Sequence, residues 1–439
     1  MENKKLLLIL VAGLSFIVIL TIALVLMNIG GDSTKATNLV FWGVFDDKNA
    51  YDAVIKDFEK ANPGVKVYYR SFSTYEEYES GLLDALAAGT GPDMYMIHHT
   101  WLPKHGNKLA ALPSRIEGEK EPLMTLKTFN DQFVEVAYDD FVYNGQIYAL
   151  PLYVDTLALY YNRDMFNSAG ITRPPENWDE FNTDVELLTR TDSSGNITQS
   201  GAALGTARNI NRSTDVLMSL MLQSGVKMVN EDKTEATFSN SVNGLAVGER
   251  ALKFYTDFAN PMVKTYSWSD SQHYSIDAFA EGNTGMMLNY SHQSVALRAK
   301  SARLNFAVAP MPQIAGATDK KNYANYWAVG VANKSLNINT AWKFVVSLTS
   351  KSGANKYLTA TNRPSARRDL IEAQKSDADL GIFAEQALTA KSWFQADGVA
   401  IEGIFADMID DVNFRRRSIK EALNNAESRV SVLLRQITR

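Results

Sequence analysis

No cysteine occurs anywhere in the 439 residues. That one absence removes disulfides, thiolate metal sites, cysteine nucleophiles and a lipid carried on cysteine. Long basic runs are missing too, apart from Arg415, Arg416 and Arg417, and the formal charge is −5. A nucleic-acid partner is therefore not expected. Of the five histidines, His98 and His99 are adjacent and the others scattered, whereas zinc needs three or four converging ligands. No metal or other cofactor is expected. Catalytic signatures are equally scarce: there is no nucleophile elbow and no HExxH pair, and "GTGPD" lacks the Lys and Ser/Thr of a phosphate loop. The acidic pairs Asp46-Asp47, Asp139-Asp140 and Asp410-Asp411 are sequence neighbours, and on a strand neighbours point apart, while glycoside cleavage needs two carboxyls about 5–10 Å apart. An enzyme is not expected.

What the chain does contain is a long apolar start. Lys4 and Lys5 precede an apolar stretch from Leu6 to Ile29, long enough to cross a bilayer at about 1.5 Å per residue. It exceeds the roughly 7–15 apolar residues of a secretory signal. Residues 1–29 thus read as a membrane anchor, with cleavage near "STKA" as the alternative that would leave a secreted or periplasmic form. Lysines on the short side place the remainder outside the cytoplasm. Residues 30–38, "GGDSTKATN", read as a flexible tether.

Beyond the tether, hydrophobic periods of two and 3.6 alternate. "NLVFWGVF" is a strand, and "YDAVIKDFEKANPG" sets Tyr51, Val54, Ile55 and Phe58 on one helical face before Asn62-Pro63-Gly64 ends it. "VKVYYRSF" alternates, "YEEYESGLLDALAAG" returns to helical spacing, and "GTGPD" turns into the apolar "MYMI". Such βαβαβ units predict a mostly parallel sheet whose ligand loops follow the strand ends, here 43–47 and 98–104. Being 46% hydrophobic, the chain can fill a large core or two lobes.

Five stretches then carry a resemblance: "FWGVFDDKNAYDAVIKDFEKANPGVKV", "LLDALAAGTGPDMYMI", "LALYYNRDMFNSAGITRPPENWDEF", "FAEGNTGMMLNYSH" and "AWKFVVSLTS". In this order they resemble the signatures of extracellular solute-binding proteins of ABC importers, in the carbohydrate-binding, maltodextrin-binding-protein-like family. The resemblance spans residues 38–439 and implies an α/β, two-lobe periplasmic-binding-protein fold, type II-like, with an interdomain ligand cleft. It assigns 39–153 plus about 326–358 to lobe 1 and 155–324 plus about 359–439 to lobe 2. The strand Leu157–Tyr161 would enter the second lobe after the first crossing, and Tyr160 and Tyr161 read mainly as core. The implied function is capture of a sugar, with an oligosaccharide favoured by the many aromatic candidates, and delivery by a monomer to ABC permease subunits in the membrane. A tethered sensor docking on a membrane receptor, or a binder of a polyol or its phosphodiester, stands as the alternative. The final stretch, with Ile419, Leu423, Val430 and Leu433 near helical spacing, is expected to pack on its own lobe rather than on a partner.

A sugar shows apolar C–H faces and a rim of hydroxyls, so its site combines aromatic faces with bidentate polar groups. The loop after the first strand offers Trp42, Phe45, Asp46 and Asp47, and that after the third offers His98, His99 and Trp101. Asp155, with Tyr153 nearby, lies where the resemblance puts an acidic contact and leads the carboxylates. "MMLNYSH" adds Asn289, Tyr290 and His292, "NYANYW" adds Asn325, Tyr326 and Trp327, "TNRPS" adds Arg363, and "KSWFQ" adds Trp393, Phe394 and Gln395. Trp42, Trp101 and Trp327 lead the aromatics, whereas Trp178, Trp268 and Trp342 read as structural. Arg363 as the chief cation argues against a polyanionic ligand.

Overall fold

The first strand, Thr37–Val44, buries Leu39, Phe41 and Val44 completely and runs parallel to Val65–Phe72 on one side and Met94–His98 on the other. The computed structural model describes residues 36–116 and 118–437, so the expected anchor at 1–29 lies outside the described residues, and residues 37 and 38 of the expected tether are already strand. Among the described residues no helix is long and apolar enough to cross a membrane.

The intervening helices follow the predicted periodicity. Asp52–Ala61 turns Val54, Ile55 and Phe58 inward, and Tyr75–Ala88 starts where Thr74 accepts a hydrogen bond from the Glu77 amide at 3.3 Å. The sheet is mixed, however, rather than mostly parallel. Trp327–Ala332 lies antiparallel beside Met94–His98 and also pairs with Leu109–Ala110 and Ala149–Pro151. This strand returns from the other lobe, not through a covering helix, and the right-handed crossover that enforces parallel pairing does not apply to it.

A second sheet takes the order Arg190–Thr191, Ile197–Ala202, Thr284–Asn289, Ala158–Asn162, Phe306–Ala309. At the end of Ala158–Asn162 the Asn162 carboxamide accepts from the Asp164 and Met165 amides at 3.0 and 3.1 Å, which turns strand into the helix Arg163–Ser168. Gly170 then leaves that helix at φ +73°, a conformation that penalises any side chain. Tyr160 is wholly buried and donates to the Tyr290 carbonyl at 2.7 Å, and Tyr161 packs partly buried on the second core.

Each sheet carries its own apolar core. One gathers side chains from 39–154 and 324–390 and includes Trp342; the other gathers 157–311, Tyr323 and 393–434. Residues 366–390, expected in the second lobe, thus pack largely in the first core. A small third cluster surrounds Trp268 and Tyr160. The last helix, Ile419–Ile437, buries Leu423, Ala426, Val430 and Leu434 in the second core, as expected of a helix that packs on its own lobe.

Candidate functional site

Three short segments cross between the cores and hydrogen-bond to one another. Asp155–Thr156 lies antiparallel to Asn322–Asn325, which runs parallel to Ala390–Lys391. The helix Gly381–Ala387 covers them: Gln386 donates to Thr156 Oγ1 at 2.9 Å and to the Leu157 carbonyl at 3.0 Å, and accepts from the Met311 amide at 2.7 Å. Asp140 joins two crossings, accepting from Tyr326 Oη at 2.6 Å and from Ser392 Oγ. His99 stacks on the Tyr326 ring at 5.0 Å. Both rings are buried, so His99 and Tyr326 brace the crossings and offer little surface to a ligand.

Asp155 is 4% exposed. Its carboxylate accepts from the Thr156 amide at 2.9 Å, the Ser291 amide at 3.0 Å and Ser291 Oγ at 2.6 Å. Burial pushes its pKa up to about 6, while the hydrogen bonds from Ser291 and Thr156 pull the other way. Two oxygens so engaged have little acceptor capacity left. The carboxylate binds the first crossing to the end of the second-lobe strand Thr284–Asn289.

The first-lobe wall revises the tryptophan expectation. Trp42, Trp101 and Trp327 are 8%, 3% and 4% exposed. Trp101 donates from Nε1 to Tyr75 Oη at 2.8 Å and stacks on Tyr78, Trp327 meets Trp101, Tyr78 and His98 edge-on, and Trp42 lies under Arg70 at 4.6 Å. They form the aromatic backing of the wall. The exposed ring is Phe45, 52% accessible, with its edge against Trp327 at 6.1 Å. Its backbone is left-handed at φ +68°, which is unusual for a bulky side chain and is found where surrounding structure over-determines it. Here the Phe45 amide donates to the Phe72 carbonyl and the Asp46 amide to the Val44 carbonyl, both at 2.9 Å.

Asp46 is buried and accepts from Arg363 Nη2 at 2.8 Å, Tyr357 Oη at 2.7 Å and Tyr51 Oη at 3.1 Å. Its role is to hold Arg363, whose guanidinium lies 4.4 Å from the centre of the buried Tyr153 ring and whose buried Nε has no acceptor. His98 bonds Thr100 Oγ1 through Nδ1 at 2.8 Å and Asn325 Oδ1 through Nε2 at 3.2 Å. Burial, then His99, pushes its pKa well down.

On the second-lobe wall, Asn289 donates to Asn211 Oδ1 at 3.0 Å, and the buried Tyr290 donates to Asp215 at 2.8 Å. Tyr290 stacks loosely on His292, with centroids 6.4 Å apart. His292 is open to solvent yet hemmed in by surrounding protein atoms. That crowding, then Arg212 and Arg363, pushes its pKa down to about 4. Trp393 is not part of this wall: it is buried in the second core, donating to Met218 Sδ at 3.1 Å.

The residues missed in the sequence are Arg212, Asp215 and Glu402. Arg212 precedes the helix Ser213–Gln223 at φ +62°, lies 5.6 Å over the Tyr290 ring, and has a buried Nε without an acceptor. Its charge reaches His98, Tyr153 and His292. Glu402 sits in the first turns of the helix Gly398–Asn413, its pKa raised by burial and then by Asp215. No local pattern in "NINRSTD" or "GVAIEG" marks these positions. At the same helix start the lobes meet: Lys104 pairs with Asp397 at 2.7 Å, and Thr100 Oγ1 would lie 3.0 Å from a Cβ on Gly398. Depressions of about 480 and 390 Å³ occupy other places, one beside Asn162, Arg190 and Arg303, the other beside Asp57, Lys343 and Ser350. None of the cleft residues borders either of them.

Two α/β lobes joined by three crossings, with facing polar and aromatic walls, define a solute-binding protein of the two-lobe class. The model of the bacterial extracellular solute-binding proteins matches residues 42–355, and the chain belongs to that family. Among relatives, it is 27% identical to a binding protein of Brucella abortus over 76% of this chain and 77% of that one. It is 26% identical to the maltotriose-binding protein of Pyrococcus abyssi over 68% of this chain and 59% of that one. The fold matches the sugar-binding protein MalE of Xanthomonas citri with a TM-score of 0.75, at 20% identity over 91% and 98% of the two chains. It also matches an ABC transporter solute-binding protein of Thermotoga lettingae, solved with α-D-tagatose, with a TM-score of 0.69, at 24% identity over 91% and 100%. The resemblance read from the five motifs therefore holds.

Proposed function

We propose that this protein captures a saccharide, an oligosaccharide in preference to a single sugar, between Phe45 and the first-lobe wall on one side and Arg212, His292 and Glu402 on the other, and hands it to the permease of an ABC importer. The observation that carries the reading is Phe45: an accessible aromatic ring held at a left-handed backbone angle against Trp327, the strand residue that follows the second crossing. Aromatic faces suit the C–H surfaces of a sugar, and guanidinium and carboxylate groups suit paired hydroxyls. The named relatives support a sugar as cargo. Ligand contacting both walls binds the closed arrangement better and shifts the hinge equilibrium toward it. The apolar stretch Leu6–Ile29 would keep the protein at the membrane beside its permease, which recovery in the membrane fraction tests.

The functional test is thermal unfolding of the full chain against mono- and oligosaccharides, polyols and polyol phosphodiesters. A ligand at 100 times its dissociation constant adds about 2.7 kcal/mol, which for a chain of this size raises the midpoint by roughly 3 °C. Phe45→Ala should abolish the saccharide shift and leave the unliganded midpoint nearly unchanged, because that ring is half exposed. A panel in which no saccharide moves the midpoint refutes the reading, and chemical turnover of a bound sugar would make the protein an enzyme.

A further inference from the structure

Two arginines enter the cleft from opposite lobes with donors to spare. Arg363 gives one terminal nitrogen to Asp46, and its buried Nε has no acceptor. Arg212 has a buried, unpaired Nε as well, and among the described residues its guanidinium makes no ion pair within 4.0 Å. Nearby Asp215 acts on it only at longer range and is itself held by Tyr290 Oη. A guanidinium has five N–H donors and no acceptor, and a buried donor left unmade costs about 1–3 kcal/mol.

The two groups flank one small region. Arg363 lies over Tyr153, Arg212 over Tyr290, and the segments bearing these rings are tied together by Asp155 and Ser291. His292 follows Ser291 and stacks against Tyr290. It feels both guanidiniums, which with the surrounding protein keep it neutral.

We infer that the ligand carries one negatively charged oxygen group, a carboxylate or a phosphate ester on the saccharide, gripped beside His292 between Arg212 of the second lobe and Arg363 of the first. The inference rests on the saccharide reading above and names the kind of saccharide. A hydroxyl has two lone pairs and must place its own proton, whereas an oxyanion has about four acceptor sites and no proton, and its hydrogen bonds to guanidinium are roughly twice as strong as neutral ones. Charge limits the number of such groups to one: Asp46 is already paired with Arg363, and Asp215 and Glu402 act on Arg212, so a second anion would meet carboxylates on both sides. An anion bound at this point also explains why both lobes contribute a cation, since binding it draws them together.

The experiment titrates the full chain with matched probes: an oligosaccharide ending in glucuronic acid against the same oligosaccharide ending in glucose, glucose 6-phosphate against glucose, and inorganic phosphate alone. The expected result is tighter binding of at least one acidic probe over its neutral partner by about tenfold or more, a preference that shrinks as salt is added. Which pair shows it separates a carboxylate from a phosphate ester. Arg212→Gln should bring acidic and neutral probes to similar affinity, while Arg212→Lys, which keeps the charge, retains part of the preference and controls for folding. Neutral probes binding as well as the acidic ones would overturn the inference and leave the saccharide reading standing. Inorganic phosphate binding as tightly as the sugar phosphate would overturn it as well, by reducing the site to a simple ion site. Failure of every saccharide, acidic or neutral, removes both readings.

Discussion

Asp155 sits beneath Ser291 with both oxygens taken by backbone and hydroxyl donors, and its pKa of about 6 has a consequence for stability. In the unfolded chain the same carboxyl titrates near 3.9. The folded state therefore binds the proton more tightly, and the stability this gives is complete below about pH 4 and lost as pH rises through 6. The shift of about two units corresponds to roughly 3 kcal/mol. Urea unfolding of Asp155→Asn and of the parent chain should thus diverge from pH 4 to pH 7, with the variant gaining relative to the parent by about that amount. Parallel curves across that range would mean that the carboxylate is ionised in the fold at no cost. At this scale the candidate residues were partly legible. Phe45, Asp46, Asp155, Tyr290, His292 and Arg363 do converge on the crossings, but the side-chain type did not reveal which would face solvent. Trp42, Trp101 and Trp327 have ring shapes suited to a sugar, yet the fold turns Trp101 and Trp327 onto each other and Trp42 onto Phe72 and Arg70.

The helix Gly381–Ala387 lies where both lobes meet, with Ala384 and Ala387 in the first core and Phe383 in the cluster around Tyr160. Its Gln386 satisfies three groups at once, on the first crossing and at Met311. Gln386→Ala removes one side chain and leaves the Thr156 hydroxyl, the Leu157 carbonyl and the Met311 amide without their partner, each worth about 1–3 kcal/mol when buried. A loss of about 3 kcal/mol or more in chemical unfolding is expected, and a loss below about 1 kcal/mol would show that water takes over these bonds. Elements such as Asp52–Ala61 and Tyr75–Ala88 were readable because their apolar residues repeat at helical spacing and their ends carry turn residues. Gly381–Ala387 was not. Seven residues with only Ile382 and Phe383 as large apolar side chains are too few to show a helical period, and its place between the lobes is set by partners far away in the chain.

Across the whole molecule, the two cores approach one another at Lys104, which pairs with Asp397 of the second lobe at 2.7 Å and with Glu79 of its own at 3.4 Å. The lysine is about one-third exposed, so the pair contributes at most about 1 kcal/mol, enough to change an open-to-closed ratio by roughly fivefold. Lys104→Met should shift ligand-free small-angle scattering at low salt toward a larger radius of gyration, with the melting point little changed. Scattering identical to the parent would exclude this pair as a brake on opening.

By itself the sequence determined the class of elements, the two-lobe family resemblance and most of the chain segments that reach the cleft, because periodicity, caps and local motifs are short-range properties written in neighbouring residues. Only the tertiary structure decided that the first sheet is mixed, that residues 366–390 pack in the first core, that the tryptophans back the wall behind Phe45, and that Arg212 lies over Tyr290. Each of these depends on contacts between residues well separated in the chain, whose geometry comes from packing two lobes against shared crossings and leaves no local pattern to read.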